Sequence, residues 1–251
     1  MGLGDNDNRN VPTVVRGLGG VVAVEAGHAH SLALARDGTL RSWGSSYHGQ
    51  LGLGGWDNRF SPTMVVGLRH VVDMAGGSMH TIAATLEGHV YTWGDGTPAS
   101  HAELCLLPTR VTAGLEGLVV LLVNAGDEYS MAVTQSGQLL TWGNGYFGQL
   151  GHDPEEYEKV PRVVEGAGVV VGVAGGEVHS MAVRESGEVV VFGNGGDLEE
   201  QDEEGNELDE PVFVAEGCLG LGAELGELLR PTVVPGIRAA VTNGDERRVT
   251  K

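Results

Sequence analysis

The chain has 251 residues, with 15 Lys and Arg against 34 Asp and Glu, a formal net charge of −19 and 42 glycines. That charge opposes a phosphate backbone, whose binding is driven by Lys and Arg releasing counterions, so direct nucleic-acid binding is not expected. The longest apolar run, residues 115–123, is broken by Glu116 and Gly117 and falls far short of a span of ~20 residues, so no membrane association is expected either. The first elements follow at once. Residues 21–25 form a β-branched run, and residues 31–34 lead into an Arg36-Asp37-Gly38 turn from which residues 40–43 return. Asp-Gly between short apolar segments is a hairpin signal, because glycine tolerates the left-handed backbone of a tight turn. A glycine-rich loop comes next, and Pro62 opens an extended piece through Val66, as suits the first residue of an edge strand.

The same order of elements then recurs. His30, His80, Tyr129 and His179 stand 50, 49 and 50 residues apart, and Trp43, Trp93, Trp142 and Phe192 each follow by 13. Ala33, Ala83, Ala132 and Ala182 hold a third register, and Gly38, Gly88, Gly137 and Gly187 a fourth. Gly44, Gly94, Gly143 and Gly193 follow the aromatic every time. A lone hairpin is marginal in water, so such units bury their apolar faces by stacking on one another. The registers divide residues 1–237 into full copies at 19–67, 68–117, 118–168 and 169–216, with half copies at 1–18 and 217–237 and a tail at 238–251. Met1 falls where Leu51 stands, and Pro231 repeats the role of Pro12 and Pro62 after Pro211 has already completed the fourth copy.

The strings GHAHSLALARDGTLRSWGSSYHGQLGLG and GDEYSMAVTQSGQLLTWGNGYFGQLG, with GSMHTIAATLEGHVYTWG and GEVHSMAVRESGEVVVFG as partial copies, resemble the repeat of the regulator of chromosome condensation family. Kelch repeats have a similar period but lack Gly-Gln-Leu-Gly. The resemblance implies an all-β fold, a β-propeller of the regulator of chromosome condensation type. At this period the family's usual seven blades need about 350 residues. Four full blades and two half-blades fall short, and the expectation is an incomplete propeller: a fragment, an imperfect gene model or an open arc. The second copy shortens its loop and lacks Gly-Gln-Leu-Gly. The fourth replaces the motif with DLEEQDEEGNELDE, expected to be a solvated, mobile acidic loop.

His30, His80, Tyr129, His179, Trp43, Trp93, Trp142 and Phe192 are read as the structural repeat core, one pair per blade. His28 with His30 has the look of a metal chelate, but His30 belongs to the repeat register, so no metal is expected. Ser31, Thr81, Ser130 and Ser180 lack a nucleophile elbow, and none of the glycine-rich strings ends in Gly-Lys-Ser/Thr, so no catalytic residue and no cofactor are expected. Cys105 and Cys218 have neither disulfide nor metal-ligand spacing and agree with an intracellular chain, cytoplasmic or nuclear. In the family, the residues between the motif glycine and its His or Tyr lie on a face used for protein partners. The resemblance therefore implies His28, Asp127, Glu128 and Glu177 as partner-binding candidates. The function expected is a non-catalytic protein-interaction scaffold that binds a small GTPase or another basic protein surface. The alternative implied is a guanine-nucleotide exchange factor for a Ran-type small GTPase.

Overall fold

Short apolar runs punctuated by glycine turns become strands of five to seven residues through most of the chain. The computed structural model describes residues 1–95, 105–152, 157–201, 207–215 and 228–238. The first sheet comprises β1 (Val21–Ala26), β2 (His30–Ala35), β3 (Leu40–Gly44) and β4 (Arg59–Met64). The second comprises β5 (Val71–Gly76), β6 (His80–Thr85), β7 (Val90–Gly94) and β8 (Cys105–Val111). β9 (Val120–Ala125), β10 (Tyr129–Thr134), β11 (Leu139–Asn144) and β12 (Tyr157–Val163) form the third. Each is antiparallel with strands in chain order, the four-stranded blade of a propeller. Gly44 ends β3 opposite His30 with φ +109°, and a Cβ there would stand 2.6 Å from the Ala29 carbonyl oxygen and 2.8 Å from His30 Cα. Only glycine fits that close approach. Pairing of the third strand with the outermost strand slips beside this glycine in each four-stranded sheet, as a β-bulge does.

The fourth sheet departs from the expected division. Its inner strands are β13 (Val170–Gly175), β14 (His179–Arg184) and β15 (Glu188–Gly193). Its outer strand is not the segment around Pro211. That segment lies in β17 (Glu207–Ala215), which pairs with β16 (Gly196–Gln201) as a separate two-stranded sheet. The outer place is taken by β18 (Leu228–Arg238), with Val190 opposite Val233 and Val191 opposite Thr232. These pairs repeat Leu140 opposite Val163 and Thr141 opposite Arg162 in the third sheet. Val212, Phe213 and Val214 pair with Glu199, Leu198 and Asp197, while Pro231, inside β18, lies in the strand that completes the blade. Much of the acidic run expected as a loop is thus held in a hairpin, and its residues 202–206 lie outside those described.

Apolar clusters fill the spaces between successive sheets. Leu32, Leu34, Leu40, Val65 and Leu68 of blade 1 meet Val71, Met74, Ala83 and Trp93 of blade 2. Ile82, Ala84, Val90 and Val111 of blade 2 meet Val120, Val123, Ala132, Leu140 and Trp142 of blade 3. Met131, Val133, Leu139 and Leu150 of blade 3 meet Val170, Ala182, Val190 and Phe192 of blade 4. Each aromatic of the repeat therefore packs backward onto the preceding blade. An indole buried this way contributes on the order of 4 kcal/mol by area. Trp43 is buried too, beneath Gly2, which sits against its ring as Gly52 sits against Trp93. Among the described residues the four four-stranded sheets stack in chain order without closing into a ring.

Candidate functional site

Two layers can be separated, a buried ladder that joins the blades and an exposed rim of turns. The ladder begins with Thr81. Its hydroxyl donates to the Gln50 carbonyl oxygen at 2.7 Å and so accepts from His30 Nε2 at 2.9 Å, which fixes the proton on that nitrogen. The Trp93 indole N–H donates to the same Gln50 oxygen at 2.9 Å. His80 Nε2 meets Ser130 Oγ at 3.0 Å one blade on. At the next junction the Tyr129 hydroxyl donates to the His179 carbonyl oxygen, and Ser180 Oγ shares its proton between Tyr129 Oη at 2.9 Å and the Gln149 carbonyl oxygen at 2.7 Å. This explains Gly-Gln-Leu-Gly. The Gln side chain closes its own loop by accepting from His48 N or Phe147 N, while its backbone oxygen reaches the following blade. Ser42 Oγ and Thr141 Oγ1 hold the adjoining Leu51 and Leu150 carbonyls, both at 2.7 Å.

Burial dominates the chemistry of the ladder. His30 is driven down to about 4 by desolvation and then by the neighbouring charge of His80, which desolvation also brings to about 4. Both imidazoles are therefore neutral at pH 7. His179 is lowered as well, by burial, although it is only half-buried on blade 4. Burial raises the Tyr129 phenol. The buried, neutral His30 and His80 rings, bonded to the Thr81 and Ser130 hydroxyls, are suited to holding blades together. Among the described residues no cluster of three or more His, Cys, Asp and Glu could hold a metal. Likewise none of their helices is long and apolar enough to cross a membrane.

The rim collects the other candidates. The turns between the first two strands of each blade contain His28, Asp127, Glu128 and Glu177, and they lie on one face beside the residues that follow β3, β7, β11 and β15. The amides of Ser45, Asp95, Asn144 and Asn194 donate to the oxygens of Ala29, Met79, Glu128 and Val178 at 2.8–3.0 Å. Neighbouring turns are also linked, through His28 N to Gly77 O at 3.1 Å and Ser78 N to Asp127 O at 2.9 Å. His28, Glu128 and Glu177 are exposed and Asp127 is half-buried. Glu128 Oε2 accepts from Asn144 Nδ2 at 3.0 Å.

Three rim features escape a reading of the repeat registers. Asp95 lies 3.6 Å from His48 Nδ1 across the first junction. Tyr157 is raised to about 12 by burial and then by the charges of Glu128 and Asp95, which places all three groups within electrostatic reach. Tyr47 and Tyr146, 71% and 57% exposed, occupy the same place on blades 1 and 3, four residues after the repeat Trp. Their recurrence in SSYHGQLG and GNGYFGQLG is a signal that the sequence does carry. The rim thus offers carboxylates and phenol rings on a framework fixed by backbone bonds, which is recognition chemistry.

Antiparallel four-stranded blades stacked through buried aromatics, with variable turns on one face, define a propeller-type repeat protein. The repeat profile described as Regulator of chromosome condensation (RCC1) repeat matches residues 1–34, 37–84 and 136–183, and a second RCC1 repeat profile matches 21–50 and 120–149. The chain belongs to the RCC1 repeat family. It is 33% identical over 169 residues to human E3 ubiquitin-protein ligase HERC2, covering 66% of this chain and 2% of that protein. With human probable E3 ubiquitin-protein ligase HERC6 it is 34% identical over 154 residues, 58% of this chain and 15% of that one. The human WBSCR16 structure superposes with a TM-score of 0.69 at 26% identity over 86% of this chain and 52% of that chain. Prp20p of Saccharomyces cerevisiae, solved with attention to its binding of Gsp1p and histones, gives 0.69 at 23% identity over 89% and 52%. The chain thus spans about half the length of these solved propellers and a small part of the two ligases.

Proposed function

We propose that this chain is a non-catalytic protein-binding scaffold whose rim of turns recognises a basic protein surface. The observation that carries this reading is the split between the two layers. The ladder repeats from blade to blade, while the turns it supports differ: His28-Ala29, Ser78-Met79, Asp127-Glu128 and Glu177-Val178. Such a division of scaffold from recognition is usual in repeat proteins. Asp95, Asp127, Glu128 and Glu177 on that rim, within a chain of net charge −19, complement Lys and Arg and steer their approach. Prp20p, of the same fold, is a protein described by its binding to histones, which are basic. The test is direct binding of core histones to the chain with Asp127→Asn, Glu128→Gln and Glu177→Gln combined. Affinity falls by about tenfold or more and loses much of its salt dependence if the rim is the contact. Equal binding by the variant, or none by the parent, defeats the proposal.

A second reading, guanine-nucleotide exchange on a Ran-type small GTPase, is supported by the likeness to Prp20p, described by its binding to Gsp1p. Release of a fluorescent nucleotide from such a GTPase tests it. No acceleration at micromolar chain removes this reading and leaves the first intact.

A further inference from the structure

Three of the four tryptophans hold the repeat register and are buried, whereas Trp56 lies outside that register and is 55% exposed. Open Trp and Tyr rings are what protein interfaces concentrate at their centres. The loop that carries Trp56 joins β3 to β4 and is drawn together at Ser46, a fully buried residue. The Ser46 amide donates to Asn58 Oδ1 at 2.9 Å and its hydroxyl to the Gly55 oxygen at 3.0 Å. Trp56 leaves one side of this neck, and Tyr47, exposed as well, leaves the other. The His48 amide, bonded to Gln50 Oε1 at 2.9 Å, fixes the chain beyond Tyr47. This loop lies over the junction with blade 2, where Gly54 N donates to Leu106 O at 2.9 Å and His48 Nδ1 stands 3.6 Å from the Asp95 carboxylate. Both blades of that junction are present, so the openness of the two rings belongs to a complete blade contact. A further carboxylate, Asp57, follows Trp56 with its side chain 87% exposed. Arg59 leans on the Asp57 and Asn58 carbonyl oxygens at 3.3 Å and leaves the Asp57 carboxylate 3.8 Å away, beyond hydrogen-bond reach.

We propose that Tyr47 and Trp56, with the carboxylates of Asp57 and Asp95 beside them, receive an arginine side chain of a protein partner. The proposal rests on the reading of the rim as a contact for a basic surface and names the residue type that is read there. A guanidinium is planar and weakly hydrated, so it stacks on an aromatic face while its N–H edge donates to a carboxylate. An ammonium is a compact, strongly hydrated charge and gains less from the ring. Indole is the strongest of the aromatic acceptors for a cation, and each open ring contributes about threefold in affinity. Charge agrees with a cationic occupant, since Asp57 and Asp95 outnumber Arg59 locally within a chain of net charge −19. The bonds at Ser46 hold both arms of the loop before a partner arrives, so little backbone freedom is lost on binding.

The experiment compares two labelled peptides of equal charge, nona-arginine and nona-lysine, binding to the 251-residue chain by fluorescence anisotropy. Trp56 is the one open indole against three buried ones, so acrylamide quenching of the intrinsic emission reports whether it becomes covered. Nona-arginine protects the emission from acrylamide and binds about threefold to tenfold more tightly than nona-lysine. Tyr47→Ala combined with Trp56→Ala removes that preference, and Trp56→Phe, which keeps a ring, retains part of it. Both positions are exposed, so unchanged urea midpoints show that the variants fold. Equal affinity for the two peptides, quenching that nona-arginine leaves unaltered, or a preference that survives loss of both rings overturns the proposal. Where core histones still bind the parent and bind the combined Asp127→Asn, Glu128→Gln and Glu177→Gln variant less well, such a result removes the arginine site alone. A parent that binds neither peptide nor histones removes the scaffold reading together with it.

Discussion

Replacing Thr81 by Val tests whether the buried ladder, rather than apolar packing alone, ties blade 1 to blade 2. Val keeps the shape of Thr but removes a hydroxyl that is fully buried between the Gln50 oxygen and His30 Nε2. The Gln50 oxygen keeps the Trp93 indole N–H and is not orphaned. His30 fares worse, because its Nδ1 already has no partner among the described residues and its Nε2 proton now loses one. Two hydrogen bonds at about 1 kcal/mol each and a stranded buried donor at about 1–3 kcal/mol give a loss of at least about 3 kcal/mol. At a urea slope of about 3 kcal/mol/M the midpoint falls by about 1 M. The cycle is completed with His30→Phe, alone and combined with Thr81→Val, since removing both polar partners costs less than the sum, with a coupling of about 1–2 kcal/mol. A Thr81→Val chain that unfolds at the parent's midpoint, with unchanged slope, refutes the argument.

Three other outcomes are expected. Trp93→Phe destabilises more than Trp43→Phe by about 2 kcal/mol, because the Trp93 N–H is paired with Gln50 O whereas the buried Trp43 N–H has no acceptor among the described residues; equal urea midpoints would contradict this. Gly44→Ala costs more than about 2 kcal/mol, since φ +109° and a Cβ at 2.6 Å from Ala29 O both exclude a side chain, and a thermal melt matching the parent's refutes it. Stability falls between pH 6.5 and pH 4. There the unfolded chain protonates His30 and His80 at their ordinary value while the folded chain holds them near 4, a slope of up to about 1.4 kcal/mol per pH unit for each. Glu87, held near 2 by its bond to His70, begins to lose its own contribution only below its ordinary 4.5, so urea midpoints that stay flat from pH 6.5 to pH 5 would exclude the histidine effect.

The blades were legible because each register has one physical cause. The glycine after each aromatic faces a carbonyl, and each aromatic faces the preceding blade, so both residue types recur at fixed spacing. The outer strand of blade 4 was not legible. Pro211 and Pro231 both lie in extended, valine-bearing segments, and spacing favours Pro211, but 212–214 pair with β16 and the place beside β15 goes to β18, a long-range choice that local pattern does not display. The ladder was half legible. His30, Thr81 and Ser180 stand out in register, whereas their acceptors are the main-chain oxygens of Gln50 and Gln149, which no side-chain pattern displays. On the rim, His28, Asp127, Glu128 and Glu177 follow from their turns, but Asp95 and Tyr157 belong to different blades and only folding brings them near Glu128.

The inserted hairpin sets an order for synthesis. In blade 1, 14 residues separate β3 from β4, so the last strand can pair almost as soon as it leaves the ribosome. In blade 4, 34 residues separate β15 from β18. Closing the longer span costs only about 0.8 kcal/mol more, because loop entropy grows slowly with length. Time matters more than free energy here. At roughly 5–20 residues per second, the edge of β15 waits seconds for Leu228–Arg238 while the strand around Pro211 emerges first. Pairing of β17 with β16 within that interval gives the nearer strand a partner of its own before β18 arrives.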